Sequence, residues 1–332
     1  MKGIVLNSTL ESNIQYLELP LPTANFEEVI VKVKAAALNH RDEWSRKGLY
    51  PNLKNGVVLG SDGAGIVDAV GAHIDSSWVG KEVIINPAIH WGTSQLAQSK
   101  SFEILGMPRN GTLADFVAVP ADRLHLKPTH LSWEEAAALP LAGLTAFRAL
   151  VYQGQVKAGE KVLITGIGGG VAQFAAQFAL ALGAEVYASS SSEEKSEKAL
   201  SMGISRVFNY KNESWAQEAL DHTGGFDLII DGASGDTLNQ LITVAKPGGK
   251  IVFYGATMGN PGKLEARKIF WNQLKIMGTT MGSDQDFEQM LELVTSRKIR
   301  PIVDGVFSLE NAVEAFDRMK AGAQFGKIVL IP

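Results

Sequence analysis

The length, composition and charge of this 332-residue sequence restrict its class before any motif is considered. Hydrophobic residues make up 45% and charged residues 20%, which is typical of a globular α/β protein, and the length predicts two domains. A net charge of -4 offers no basic field for nucleic acid, and the absence of cysteine excludes disulfides, thiolate nucleophiles and thiolate metal ligation. No apolar leader or membrane-spanning stretch stands out, so we expect a cytoplasmic protein with neither nucleic acid nor membrane as a partner.

The first third of the sequence predicts a β-rich domain. Short apolar runs separated by turn residues are typical of strands, and the alternation is clearest at Val29, Val31 and Val33. A polar segment between Pro87 and Pro108 is too long for a routine connection and predicts a functional or interfacial lobe. The predicted strands cover 3–6, 14–19, 28–38, 57–70, 82–86 and 116–119.

After residue 128 the pattern changes to helices and then to alternating strands and helices. Ser132 and Glu135 form a capping box for a helix that is predicted to end near Pro140. Strand and helix then alternate, which predicts a parallel sheet wound on both faces. The predicted strands are 162–165, 185–188, 227–231 and 250–254, and the predicted helices are 171–182, 193–202, 215–223 and 237–245. The last part adds helices at 287–296 and 309–321 and strands at 306 and 327–331.

A glycine-rich segment at 166–172 follows the first of these strands and opens the next helix. Glycines let the backbone turn tightly and approach a phosphate, and the N–H groups at the helix start attract its negative charge. A merely flexible turn is the alternative, but four glycines in five positions would then carry an entropic cost without purpose. We therefore predict that a dinucleotide pyrophosphate binds at Gly166, Gly168, Gly169, Gly170 and Val171.

The strand at 185–188 ends in four serines, where an NAD-binding protein carries an acidic residue for the ribose 2′-hydroxyl. Hydroxyl groups and the ammonium of Lys195 attract a 2′-phosphate, whereas a carboxylate would repel it. Serines also cap helices, and the two roles are compatible. The sequence therefore predicts NADPH as the cofactor, with its 2′-phosphate at Ser190, Ser191 and Lys195.

Several segments together resemble the medium-chain dehydrogenase/reductase (MDR) superfamily, in particular its zinc-free quinone oxidoreductase branch. The resemblance covers nearly the whole chain. It implies an α/β fold class in which a Rossmann doubly wound parallel sheet accompanies a β-rich GroES-like catalytic domain. It also implies a catalytic domain at 1–127, a Rossmann NADP-binding domain at 128–265, and a return of 266–332 to the catalytic domain. The matching segments are ALNHRD at 37–42 with GLY at 48–50, LGSDGAGIV at 59–67, GTLADFV at 111–117, LPLAGLTA at 139–146, the glycine loop, and PGGKIV at 247–252.

The resemblance also locates the positions at which metal-dependent relatives hold zinc. A Cys, a His and a Cys bind the catalytic zinc there, and the aligned positions here are Asn39, Ser61 and Leu141. These side chains would hold zinc poorly or not at all. The lobe at 87–108 resembles the relatives' structural-zinc lobe but has no cysteine, and the six histidines lack metal-site spacing. We therefore expect no metal.

Without a Lewis acid, we expect hydride transfer to a substrate that spreads the resulting charge. A simple ketone gives a localised alkoxide, which suits zinc, whereas a quinone or enone gives a delocalised oxyanion that hydrogen-bond donors stabilise. The resemblance implies that Asn39 and Asp42 lie close to substrate and nicotinamide ribose, with Asn39 hydrogen-bonding and Asp42 organising the pocket. A turn-forming Asn and a surface Asp are the alternative. Tyr50 is a candidate donor or pocket wall, and Trp91 a candidate apolar wall or simple packing.

The resemblance further implies contacts to the nicotinamide and a self-association surface. The segment 274–281 resembles the edge strand that pairs with its twin across a two-fold axis, so we expect a homodimer. The leading hypothesis is an NADPH-dependent quinone or enone reductase. A non-catalytic NADPH-binding protein, crystallin-like or RNA-binding, and a zinc-type alcohol dehydrogenase are the alternatives. The residues expected at the nicotinamide are Thr145, Tyr254, Gly255, Ala256, Gly278, Thr279 and Met281.

Overall fold

The computed structural model describes all 332 residues and divides them into two compact units, Met1–Ala142 with Gly282–Pro332, and Gly143–Met281. Both boundaries lie later in the sequence than the predicted domain ends at 127 and 265. The helix at Trp133–Ala138 packs against strands of the first unit, and the strand at Lys275–Gly278 completes the sheet of the second. None of the helices has the length and apolar character needed to cross a bilayer.

The N-terminal part of the first unit is built mainly of short strands. Lys32 and Lys34 are exposed between buried apolar residues, as the alternating pattern predicts for a strand with one face in the core. The elements are β1 (Lys2–Leu6), β2 (Ile14–Glu18), β3 (Glu28–Ala37), α1 (His40–Arg46), β4 (Asp62–Val70), β5 (Glu82–Ile85), β6 (Ala88–Ile89), β7 (Glu103–Ile104), β8 (Phe116–Pro120), β9 (Leu124–Leu126) and α2 (Trp133–Ala138).

Two helical segments differ from the sequence prediction. Helix α1 has only seven residues, too few for a clear apolar period, and begins where the Asn39 N–H donates to the Asp42 carboxylate at 2.8 Å. Helix α2 has the predicted capping box, with the Glu135 N–H donating to Ser132 Oγ at 3.2 Å. The helical backbone does not stop near Pro140, however: a new helix begins there, because proline is tolerated in the first turn of a helix.

The second unit contains the predicted strand–helix alternation. Its six strands are all parallel in the order β12-β11-β10-β13-β14-β15, so the predicted Rossmann sheet is confirmed. The strand order reverses between β10 and β13, and ligands of such sheets bind at the carboxyl ends of the strands there. The elements from α3 onward are α3 (Pro140–Phe147), β10 (Lys161–Ile164), α4 (Gly170–Ala181), β11 (Glu185–Ser189), α5 (Glu193–Ser201), β12 (Arg206–Phe208), α6 (Trp215–Thr223), β13 (Phe226–Asp231), α7 (Leu238–Val244), β14 (Ala245–Phe253), α8 (Ala266–Trp271) and β15 (Lys275–Gly278).

The C-terminal segment completes the sheet of the first unit. Strand β17 pairs antiparallel with β3, which gives a sheet in the order β16-β17-β3-β4-β5-β9 with β8 also paired to β3. This pairing brings the start of β17 next to the end of β3, where α1 begins. The elements are α9 (Asp284–Ser296), β16 (Val303–Ser308), α10 (Ala312–Lys320) and β17 (Lys327–Ile331).

Candidate functional site

A buried charged cluster lies in the first unit where β3, β4 and β17 meet. The ammonium of Lys327 donates to Leu38 O at 2.7 Å, to Asn39 Oδ1 at 2.6 Å and to Asp62 Oδ2 at 2.9 Å. Lys327 is 4% exposed and Asp62 is fully buried. The three donors of the ammonium are therefore all used by acceptors of the protein.

The side-chain amide of Asn39 is held between these two charges. Its Oδ1 accepts from Lys327, and its Nδ2 donates to Asp62 Oδ2 at 2.9 Å. Only this orientation pairs both ends of the amide, because an ammonium cannot accept and a carboxylate cannot donate a hydrogen bond. One hydrogen of Nδ2 has no acceptor in the protein. Asn39, one of the predicted site residues, thus has one hydrogen-bond donor left for a ligand.

Asp42, the second predicted residue, is buried beside this cluster. Its carboxylate accepts from the backbone N–H of Asn39 at 2.8 Å and from that of Gly60 at 3.2 Å. Burial raises the pKa of Asp42, although the charge of Arg41 opposes the shift. Since its hydrogen bonds go to backbone groups, Asp42 fixes the start of α1 and the chain before β4 around Asn39.

Arg41 connects the predicted Tyr50 to one of the zinc-ligand positions and to the polar lobe. Its guanidinium donates to Ser61 Oγ at 2.5 Å, to Leu105 O at 2.6 Å, to Met107 O at 3.3 Å and to Tyr50 Oη at 3.3 Å. It also lies over the Tyr50 ring, 4.7 Å from its centroid. The Ser61 hydroxyl in turn donates to Leu105 O at 2.7 Å. All these acceptors are neutral, so Arg41 brings a buried positive charge to the lobe.

The side chains at the zinc-ligand positions do not fit a zinc ion. Asn39 Oδ1 accepts from an ammonium and Ser61 Oγ from a guanidinium, so a second cation there would be repelled. Leu141 has no ligand atom in its side chain, and its backbone N–H donates to Asp62 Oδ1 at 2.7 Å. No three His, Cys, Asp or Glu side chains of the chain lie close enough together to hold a metal ion.

Two further side chains of the first unit have clear surroundings. Neighbouring protein atoms desolvate His40 and lower its pKa, and the charge of Lys327 lowers it further, so the imidazole is neutral at pH 7. Trp91 is 2% exposed, donates from Nε1 to Ser94 O at 2.9 Å and packs edge-on against Phe102. Trp91 therefore packs in the core of the lobe, which favours simple packing, the second of the two roles considered for it, over a wall for a flat substrate.

In the second unit, the glycine loop connects β10 to α4, which begins at Gly170. Gly166 has φ +61°, and a Cβ placed on it would meet no atom within 4 Å, so the loop has open space on that side. The N–H groups of Gly166 and Ile167 donate to Ser189 Oγ and O at 3.3 and 3.1 Å, which fixes the loop to the end of β11. The first-turn N–H groups of α4 have no partner within the helix. This arrangement fits a pyrophosphate.

The serines after β11 were considered for two roles, capping of helix α5 and binding of a 2′-phosphate, and different serines fit each role. Ser192 is the N-cap of α5 and accepts from the Lys195 N–H at 3.3 Å. Ser190 Oγ hydrogen-bonds to the backbone of Ser192, and Ser191 Oγ lies 2.9 Å from the hydroxyl of Tyr210. The capping role therefore belongs to Ser192, while Ser190 and Ser191 present hydroxyl groups at the end of β11. Tyr210 is a neighbour that the sequence does not single out.

The residues predicted at the nicotinamide follow two adjacent strands of this sheet. Phe253 pairs with Gly278, and the Thr279 N–H donates to Phe253 O at 3.0 Å. The segments that follow β14 and β15 therefore lie side by side. The Thr279 hydroxyl oxygen is buried and has no hydrogen-bond partner. Thr145 Oγ1 lies 4.0 Å from Met281 Sδ, and both residues are buried. An orphaned buried hydroxyl at this edge fits a ligand with polar groups, as the carboxamide of a nicotinamide has.

Asp231 at the end of β13 organises the same edge of the sheet. It accepts from Thr165 Oγ1 at 2.6 Å and from the Ser234 N–H at 2.7 Å. Burial and the charge of Asp231 raise the pKa of Tyr254 above its usual range, so this phenol is protonated at neutral pH. The Tyr254 ring covers Gly232, where a Cβ would lie 2.6 Å from the tyrosine hydroxyl oxygen. Gly232 is therefore required for the position of Tyr254.

Comparison with known proteins identifies the family. The sequence profile of the alcohol dehydrogenase GroES-like domain matches residues 25–129, and that of zinc-binding dehydrogenases matches residues 170–296. The zinc-type alcohol dehydrogenase-like protein YogA of Leptosphaeria maculans is 36% identical over 99% of this chain and 96% of its own length. The chain belongs to the MDR superfamily.

Two further comparisons extend this assignment. The acryloyl-coenzyme A reductase of Sulfurisphaera tokodaii is 30% identical to this MDR chain over the full length of both proteins. The crystal structure of an NAD-dependent alcohol dehydrogenase matches all of both chains with a TM-score of 0.95 and 36% identity. The chain is therefore an oxidoreductase with the GroES-like and Rossmann folds of the MDR superfamily, and both fold predictions are confirmed.

Two cations of this MDR chain, Arg41 and Lys327, are absent from the residues that the sequence singles out. Lys327 carries a signal in the sequence, because it is a charged residue at the start of an otherwise apolar strand. Arg41 lies between two predicted site residues but belongs to a helix that is too short to show which face is buried.

Proposed function

We propose that this MDR chain is an NADPH-dependent reductase of quinones or α,β-unsaturated carbonyls that works without a catalytic metal, as in the zinc-free quinone oxidoreductase branch. The observation that carries the proposal is that Lys327 and Arg41 hydrogen-bond to the side chains at two of the three zinc-ligand positions. Charge that develops on the substrate must then be stabilised by hydrogen-bond donors. A delocalised oxyanion needs less stabilisation than a localised alkoxide, which favours conjugated carbonyl substrates.

Bound NADPH supplies the hydride, and the second unit contributes the residues that bind and orient it. The glycine loop takes the pyrophosphate and the hydroxyls after β11 take the 2′-phosphate, because serines stand directly after the strand in place of the acidic residue of an NAD-binding protein. The orphaned hydroxyl of Thr279 is a partner for the carboxamide. The proposed residues are Gly166, Gly168, Gly169, Gly170 and Val171 for the pyrophosphate; Ser190, Ser191 and Lys195 for the 2′-phosphate; and Thr145, Tyr254, Gly255, Ala256, Gly278, Thr279 and Met281 for the nicotinamide.

In the first unit, the proposed catalytic residues are Asn39, Asp42 and Tyr50. Hydride adds to the β-carbon of an enone, the carbon–carbon double bond shifts toward the carbonyl, and an enolate oxygen results. Asn39 donates its remaining Nδ2–H to that oxygen, Asp42 holds the backbone of Asn39, and Tyr50 lines the site beside Arg41. Water then supplies the proton at the α-carbon, which completes reduction of the carbon–carbon bond.

The relatives support this reaction class and also define its competitor. The acryloyl-coenzyme A reductase is named for a conjugated acyl substrate, whereas YogA is named a zinc-type alcohol dehydrogenase-like protein. The deciding test measures oxidation of NADPH and NADH with 1,4-quinones, linear enones and simple aldehydes in parallel, with and without EDTA. We expect EDTA-resistant turnover of quinones or enones with NADPH. Aldehyde turnover that EDTA abolishes would favour a zinc alcohol dehydrogenase, and tight NADPH binding without any turnover a non-catalytic binding protein.

The cofactor preference has a test of its own at Ser191. In Ser191→Asp, a carboxylate at the end of β11 repels the 2′-phosphate, so kcat/KM with NADPH should fall about 100-fold while that with NADH is kept or raised. Ser191→Ala is the matched control, which removes only the hydroxyl and should cost a few-fold. Equal losses with both cofactors in Ser191→Asp would contradict the assignment of the 2′-phosphate site.

We also propose that two copies of the chain pair through β15. This strand is the last in the sheet and has β14 as its one neighbour, so its other edge has free backbone groups. Phe270 and Trp271 in the preceding helix α8 are 68% and 78% exposed, which is unusual for large apolar side chains at a free surface. Light scattering should give the mass of a dimer, and a monomeric mass would refute the proposal.

A further inference from the structure

We propose that Lys327 is a positioning residue that holds and polarises the Asn39 amide, so that a cation of the protein strengthens the donor that faces the substrate oxygen. This inference rests on the proposed function, because it concerns the same reduction. Lys327 does not contact the substrate itself. Its three donors are used by Leu38 O, Asn39 Oδ1 and Asp62 Oδ2, so it acts through Asn39.

The geometry gives Lys327 a direct hold on the amide. Its ammonium lies 2.6 Å from Asn39 Oδ1, at the short end of the range for a charge-assisted hydrogen bond. A cation at the oxygen of an amide draws electron density from the nitrogen, which makes the remaining Nδ2–H a stronger donor. Asn39 is 6% exposed and Lys327 4%, so little water screens this effect.

Asp62 neutralises the buried ammonium of Lys327 and fixes the direction of the free Nδ2–H of Asn39. Its Oδ2 accepts from both Lys327 and Asn39 Nδ2, and its Oδ1 accepts from the Leu141 N–H at 2.7 Å. The ammonium is thus paired, which avoids the large cost of an isolated buried charge. The free Nδ2–H must then point away from Asp62, because the other hydrogen on the same nitrogen is bound to it.

The polarised donor matters most when the substrate oxygen becomes negative. The hydrogen bond to an enolate gains more from polarisation than the hydrogen bond to a neutral carbonyl, so its effect falls on the hydride step rather than on substrate binding. A substrate whose own substituents withdraw electrons needs this help less. Removing Lys327 should therefore slow electron-rich substrates more than electron-poor ones.

The test measures single-turnover hydride transfer from bound NADPH to a series of 4-substituted aryl enones. Wild type is compared with Lys327→Met. If this single variant folds poorly, the double variant Lys327→Met/Asp62→Asn, in which neither buried charge remains, takes its place. We expect about a 10-fold loss of rate for the unsubstituted enone with substrate KM and NADPH affinity within a few-fold of wild type. The plot of log rate against the substituent constant should also be steeper than for wild type.

A merely structural role of Lys327 would slow every substrate by the same factor, so an unchanged slope in a folded variant overturns the inference. Asn39→Ala supplies the second readout. If Lys327 acts through the amide, Lys327→Met should add no further loss in an Asn39→Ala background, whereas additive losses contradict the inference. Failure of wild type to reduce any enone or quinone would instead overturn the proposed function itself.

Discussion

The glycine loop and the Lys327 cluster, formed by Lys327, Asn39 and Asp62, differ in how far their polar groups are paired within the protein. The loop at 166–172 leaves N–H groups at the start of α4 without a protein partner and keeps open space at Gly166. In the cluster, each polar atom of Lys327 and Asp62 has a partner, and one donor of Asn39 is left. The loop is thus arranged to be completed by an anion, whereas the cluster is complete without a ligand and presents a single directed donor.

The largest effect expected from this difference is on stability. Lys327→Met leaves the buried carboxylate of Asp62 without its cation, and breaking a buried ion pair in this way costs about 3–5 kcal/mol. Urea denaturation should show this loss in the free energy of unfolding. Lys327→Met/Asp62→Asn should recover most of it, because no unpaired charge remains. Lys320→Met, which removes an exposed lysine of α10, is the control and should change stability by less than about 0.5 kcal/mol.

If Lys327→Met lost as little free energy of unfolding as the control, the cluster would not depend on its own internal pairing. The opposite pattern is expected for the glycine loop, where substitution should affect ligand binding and spare the fold.

Gly169→Asp tests the loop. Gly169 is the N-cap of α4 at φ -80°, and a Cβ there would meet only Gly166 O at 3.6 Å, so a side chain fits. Aspartate is a favourable N-cap, so thermal stability should be kept or raised. Its charge repels the pyrophosphate, and the Kd for NADPH in a fluorescence titration should rise about 100-fold. Gly169→Ser is the uncharged control, and equal Kd values for the two variants would mean that no phosphate lies at this loop.

Sequence alone predicts the second unit well because its information is local. The strand–helix alternation and the run of glycines at 166–170 can be read within short windows, and the capping box of Ser132 and Glu135 spans only four residues. The observed strands and helices of this unit agree closely with the prediction. The exceptions, besides α3, are β12 and α8, which have three and six residues, too few to give an apolar pattern.

The Lys327 cluster is not predictable in this way, because it depends on strand pairing. Asn39 and Lys327 are 288 positions apart and meet only because β17 pairs with β3. Arg41 reaches Leu105 and Met107 through the fold of the lobe, which no periodic pattern describes. The resemblance identified Asn39, but its partners are a property of the tertiary structure.

The capping box gives the next smaller effect, as a local motif that lies in the first unit. In Ser132→Ala, the Glu135 N–H loses its acceptor at the start of α2, which costs about 1 kcal/mol in urea denaturation. Ser132→Thr keeps the acceptor and should stay close to wild type. A loss as large as that of Lys327→Met would show that a local cap matters as much as the long-range cluster, and the contrast between them would disappear.

The smallest expected effect comes from His125, which lies outside both sites. It is half-buried on β9 with its ring 4.6 Å from that of Phe287, and burial and the charge of Arg123 lower its pKa below 6.5. As pH falls below 6.5, the unfolded chain takes up a proton that the folded protein resists. Stability is therefore lost on going from pH 7 to pH 5, with a slope of at most about 1.4 kcal/mol per pH unit for this residue.

His125→Gln should reduce this slope without removing it, because the lowered pKa of His40 acts with the same sign. The measurement is the free energy of unfolding by urea at half-unit steps of pH, compared with His222→Gln, which removes an exposed histidine from the other unit. If the slope in His125→Gln equals that of wild type, the acid sensitivity arises elsewhere. Asp42, which lies beside the Lys327 cluster, has a shift of the opposite sign, since its raised pKa makes the folded state take up a proton more readily than the unfolded chain. Of these shifts in the first unit, those of His125 and His40 therefore lower stability between pH 7 and pH 5, and the two sites are best compared at pH 7.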